Sequence, residues 1–80
     1  MEVDLILYGT EAFYAIEVKN TGRVRPEDLR GLNAFLRDYP ASQAIFLYRG
    51  TEKLNIKNIL CLPCEDFLKN LRPDALLPIY

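Results

Sequence analysis

Asp4, Glu17 and Lys19 are the residues of this chain whose types and spacing could act together on a substrate. Side chains alternate along a strand, so Glu17 and Lys19 fall on one face while Ile16 and Val18 fall on the other. The same alternation separates Glu2 and Asp4 from Val3 and Leu5. If residues 9–12 close a hairpin, Tyr8 pairs with Phe13, which sets Asp4 opposite Glu17 and Glu2 opposite Lys19. Opposed side chains on an antiparallel pair lie roughly 5 Å apart, and carboxylates that close repel unless a cation sits between them. Two oxygen donors suit Mg²⁺ or Mn²⁺, hard ions that complete their spheres with water and substrate phosphate. A lysine beside them would orient a water and offset charge building up on a phosphate under attack. Asp4 and Glu17 would then be metal ligands and Lys19 the third catalytic residue of a phosphodiesterase. A loop one residue longer or shorter would put Asp4 and Glu17 on opposite faces.

Other residues compete for attention. Cys61-Leu62-Pro63-Cys64 has the spacing of a thiol–disulfide motif at a helix start. It comes late in the chain, before only a short helix and a tail, so two cysteines packing as small hydrophobes are expected instead. Zinc is not expected, because the two cysteines have no further Cys or His to complete a site. The absence of His also excludes Ser–His triads and zinc-protease sites. Net charge is −1, too small for bulk electrostatics to hold the chain on DNA or an anionic membrane. Locally, Lys19, Arg23, Arg25, Arg30 and Arg37 outweigh Glu27 and Asp28. Arg23, Arg25, Arg30 and Arg37 could therefore meet a phosphate backbone, although a solvated helix face has the same pattern. Alternating charge on a half-exposed strand is likewise ordinary, so Glu17 and Lys19 have a purely structural reading beside the catalytic one.

The elements that must position these residues follow from pattern. Residues 3–8 and 13–19 are rich in β-branched and aromatic side chains, which predicts an antiparallel hairpin with Leu5, Leu7, Ile16 and Val18 toward the core. Pro26 at a first helical position, with Glu27 and Asp28 in the first turn, predicts a helix over 26–38. Its apolar stripe is Leu29, Leu32, Phe35 and Leu36, with Arg30, Asn33 and Arg37 on another face. Residues 43–48 form a continuous apolar run, expected as the central strand buried on both faces. Residues 55–62 read as a further strand and 63–71 as a short helix. The expected fold class is α/β, with a mixed sheet in β-β-α-β-β-α order and a parallel crossover joining the second and third strands.

Asp4 and Glu17-Val18-Lys19, on successive strands, resemble the PD-(D/E)XK nuclease-like superfamily. More narrowly, residues 2–4, 15–19, 23–32 and 35–36 look like the carboxy-terminal nuclease-like domain that follows an AAA-type ATPase module in many prokaryotic proteins. The resemblance implies a restriction-endonuclease-like core and a divalent-metal site at Asp4, Glu17 and the main-chain carbonyl of Val18, with Lys19 in the catalytic position. It also implies Mg²⁺-dependent cleavage of DNA. Val3 stands where the superfamily's name has Pro, and the superfamily's first helix and strand are not in this sequence. The chain is therefore expected to be an amino-terminally truncated form. The alternative is a noncatalytic oligomerisation or interaction module derived from the same ATPase domain.

At 80 residues and half apolar composition, a single domain over 1–80 is expected, with its core at 2–71 and an apolar tail at 72–80. No apolar run approaches the roughly 20 residues of a membrane span, and the acidic start does not resemble a signal peptide. A cytoplasmic protein is the resulting expectation. Residues 3–8 would form an open, apolar sheet edge, and a domain this small gains from further burial, so a symmetric homodimer through that edge or the tail is expected.

Overall fold

The computed structural model describes residues 5–8 and 13–70. The expectations for Glu2, Asp4, the loop at 9–12 and the tail at 72–80 lie outside the described residues. The elements are β1 (Leu5–Tyr8), β2 (Phe13–Val18), a 3-10 turn (Pro26–Leu29) leading into α1 (Arg30–Asp38), β3 (Gln43–Tyr48), β4 (Leu54–Ile56), β5 (Ile59–Pro63) and α2 (Cys64–Lys69). This is an α/β fold on a mixed five-stranded sheet of order β1-β2-β3-β5-β4. β2, β3 and β5 run parallel, and an antiparallel strand flanks them on each side.

The first hairpin has the expected register, with Tyr8 opposite Phe13 and Leu5 opposite Ile16. β3 is the central strand, and Ala44 to Tyr48 are buried without interruption. Even-numbered β3 residues pack under α1, where Ala15, Leu29, Leu32, Phe35, Ala44, Phe46, Tyr48, Ile59 and Cys61 form the larger core. Odd-numbered ones join Ile16, Leu62 and Phe67 in a smaller core on the α2 side. A strand buried on both faces has no room for alternation, which is why its sequence is a solid apolar block.

Two expectations need correction. The single strand at 55–62 is two strands, β4 and β5, folded back at Lys57 and Asn58, whose φ angles of 50° and 68° are left-handed. Positive φ at both central residues is what a two-residue hairpin turn needs to match strand twist; Asn tolerates it, and with no Gly in the turn the sequence gives little warning. Val18 is the second. Alternation alone assigns it to the core, but it is 48% exposed, because the six-residue α2 does not extend over the carboxyl end of β2.

Pro26 presets the 3-10 turn that leads into α1. Leu29, Leu32 and Phe35 bury one stripe, and Phe35 stacks on Phe13 of β2 with ring centroids 5.2 Å apart. The helix stops before Pro40, with the Tyr39 N–H closing the last turn onto the Phe35 carbonyl. α2 starts at Cys64, since Pro63 still belongs to β5. No helix of the described residues is long and apolar enough to cross a membrane.

Candidate functional site

β2 carries Glu17 to its carboxyl end, and the Lys19 N–H prolongs the pairing by donating to the Leu47 carbonyl at 3.0 Å. The chain then turns, held by Arg49, whose backbone N–H donates to the Thr21 carbonyl and whose guanidinium donates to Asn20 Oδ1. A crossover helix starts near the carboxyl end of the strand it follows, so the first turn of the α1 segment returns over Lys19. Alternation places Glu17 on the same face as Phe13 and Ala15, beneath α1.

Glu17 is consequently 3% exposed, a charged residue inside the larger layer. Lys19 Nζ lies 3.5 Å from Glu17 Oε2 and 3.6 Å from Asp28 Oδ1. The other Asp28 oxygen, Oδ2, accepts the Arg25 backbone N–H at 3.0 Å and thereby caps the turn. One carboxylate thus serves the helix start with one oxygen and the strand lysine with the other. Burial alone would lower the Lys19 pKa, but the charges and hydrogen bonds of Glu17 and then Asp28 outweigh it and hold the ammonium above its ordinary value. Lys19 stays cationic near neutral pH.

These groups open onto a cleft of about 360 Å³, lined by Glu17, Lys19, Glu27, Asp28, Arg30 and Gly31 among others. Its ligand atoms are carboxylate oxygens, with neither imidazole nor thiolate, and its three acidic side chains outnumber its two basic ones. Such a donor set fits a hard divalent cation. Among the described residues, no group of three or more Asp, Glu, His or Cys side chains is placed to hold a metal ion.

The structure brings together Glu17, Lys19 and Arg30 of the residues singled out from sequence. Asp4 lies outside the described residues. Val18 points its side chain away from the cleft, on the other face. Arg23, Arg25, Arg30 and Arg37 are all exposed; Arg25 lines a separate groove, and Arg37 lies in the last turn of α1, two turns beyond Arg30 on the same helix face and roughly 10 Å along the axis. Sequence reasoning misses Asp28 as a site residue, taking it for a helix-end acid. The available signal is the crossover rule, which brings the helix start back to the carboxyl end of β2.

The cysteines lie on opposite sides of the sheet, Cys61 in the α1 core and Cys64 against the α2 core, both as free thiols. Burial pushes the Cys61 thiol up to about 11, the reverse of the depression a redox motif uses. They behave as the packing residues expected.

No curated protein matches the chain, and no solved structure does. A family described as "Domain of unknown function (DUF4143)", found in carboxy-terminal regions of AAA-type ATPases, matches residues 1–67. With most of its length matched, from the first hairpin through the start of α2, the chain belongs to the DUF4143 family.

Proposed function

We propose that the chain is a PD-(D/E)XK nuclease-like domain whose cleft between β2 and α1 takes Mg²⁺ or Mn²⁺ and hydrolyses DNA phosphodiester bonds. The observation that carries this reading is Glu17, a carboxylate 3% exposed that lines an oxygen-rich cleft with an ammonium 3.5 Å away. Burying a carboxylate is costly even beside an ammonium, and buried charged groups that line clefts are concentrated at functional sites. Asp4, Glu17 and the Val18 carbonyl would hold the ion. Bound there, the ion supplies Lewis-acid polarisation of the phosphate and a water of lowered pKa. Lys19, fixed by two carboxylates, orients the attacking water and offsets negative charge gathering on the phosphate oxygens. Arg30 on the cleft rim meets a flanking phosphate.

Incubating linear, nicked and branched DNA with the protein in millimolar Mg²⁺ or Mn²⁺ tests this reading. Cleavage is expected, with a loss of at least about 100-fold in Glu17→Gln and Lys19→Ala that keep native circular dichroism.

A second reading is favoured by one observation: Asp28 already engages Lys19 while capping the turn. The triad would then fasten α1 to β2, and the domain would serve as a noncatalytic oligomerisation or interaction module of an AAA-type ATPase. Pairing of two copies along β1, which stands at the sheet edge among the described residues, belongs to this reading.

A further inference from the structure

We infer that the groove between β4 and the start of α1 docks an extended acidic segment of a partner protein, laid beside β4 as an added strand. This inference does not depend on the cation site, which lies elsewhere. The helix side of the groove is built from Val24, Pro26 and Leu29 and the strand side from Ile56, with Arg25 and Lys57 completing the lining beside Asn33. Its volume is about 200 Å³, below the roughly 300–1,000 Å³ of pockets that enclose whole small molecules. Side chains from a peptide suit that space better than a cofactor does.

Charge selects the occupant. Glu17, Glu27 and Asp28 line the cleft at β2, whereas no acidic residue lines this groove and two cations do. Neither Arg25 nor Lys57 pairs with a carboxylate among the described residues. An apolar floor between two cations complements a segment that alternates apolar and acidic side chains. Nucleic acid fits less well, because a phosphate backbone would leave that floor without an apolar partner.

Backbone geometry supplies the second element. β4 is the last strand of the sheet among the described residues. Ile56 and Ile59 flank the two-residue turn, which makes them a hydrogen-bonded pair, so the intervening Asn55 directs its N–H and carbonyl away from β5. Asn55 is exposed. A peptide strand pairing with Asn55 would send alternate side chains toward the α1 side, over Ile56 and Leu29, with carboxylates reaching Arg25 and Lys57. β4 spans only Leu54–Ile56, so the side chains would supply most of the affinity.

Panning random twelve-residue peptides on the full chain, with counter-selection on an Arg25→Glu/Lys57→Glu variant, tests the inference. Both substituted positions are exposed, and an Arg25→Ala/Lys57→Ala variant provides a check that needs no charge reversal. The expected result is convergence on sequences that interleave Asp or Glu with apolar residues. A synthetic peptide of that sequence should bind at least tenfold more weakly to both variants and shift the amide signals of Val24, Asn55 and Lys57. Convergence on basic or uncharged sequences, no convergence, or binding unchanged in the variants would overturn the inference. Displacement of the peptide by a mixed-sequence DNA duplex, with the same amides responding to the duplex, would assign the groove to nucleic acid and overturn it as well.

Discussion

Glu17 and Val18 are neighbours on one strand with inverted fates: the carboxylate is 3% exposed and the aliphatic side chain 48% exposed. Burial here follows the reach of the covering helices more than residue type. α1 with its leading turn spans residues 26–38 and extends over the carboxyl end of β2, while α2 stops at six residues. A charge placed under the longer cover has to be compensated in place, and Lys19, itself held by Asp28, does so. An apolar residue beyond the shorter cover simply remains wet, which is common and inexpensive.

The sharpest way to probe this contrast is to remove the cover. Phe35 is 1% exposed and contacts the rings of both Phe13 and Tyr39. Phe35→Ala is expected to cost about 3–5 kcal/mol, a large share of the stability of a domain this size. Urea unfolding followed by circular dichroism would measure it. A loss near zero would mean that α1 does not hold the layer over Glu17.

Next in size is the charge pair. Lys19→Met leaves Glu17 buried without the Lys19 ammonium, and a loss of about 2 kcal/mol is expected, discounted from the fully buried case because Lys19 is itself partly exposed. Glu17→Leu/Lys19→Met should recover most of that loss, since apolar pairs of similar volume replace buried ion pairs well. A double variant as unstable as the single one would show that the damage comes from packing and not from an uncompensated charge.

A smaller effect comes with alkali. Burial raises the Cys61 thiol from 9.0 to about 11, so the folded state favours the protonated form. Its contribution is complete below pH 9 and is lost as pH rises through 11. Lys19, also raised, loses its contribution above its ordinary 10.5. Unfolding free energy should therefore fall between pH 9 and 11, and Cys61→Ala should flatten the earlier part of that slope. An unchanged slope would place the thiol in a wetter site than the α1 core. Smallest of all is Val18→Thr, expected within about 0.5 kcal/mol of the parent; a larger loss would mean that Val18 is covered in solution, as by a second copy.

Much of this arrangement is legible in the amino-acid sequence. Alternation in residues 13–18 and a four-residue loop give the register from Tyr8–Phe13 to Leu5–Ile16, and the apolar block at 43–48 marks a strand covered twice. Period-two alternation names the face a side chain takes but not how far a helix reaches over it, which is why Val18 reads as a core residue and is not one. The turn at Lys57 and Asn58 carries no Gly, so its positive φ angles are hidden within a run that reads as one strand. Asp28 gives no local signal because its partnership with Lys19 spans nine positions and arises only when the crossover closes.

The central claim, that the Glu17 cleft holds a divalent cation, is tested most directly by titrating Mn²⁺ into isotopically labelled protein and following paramagnetic broadening. Saturable loss of the Glu17, Val18 and Lys19 amide signals at micromolar to low millimolar Mn²⁺ is expected, reversed by excess Mg²⁺ and abolished in Glu17→Gln. Signals that persist at those positions, or broadening that survives Glu17→Gln, would contradict it and leave the triad as a structural fastening between β2 and α1.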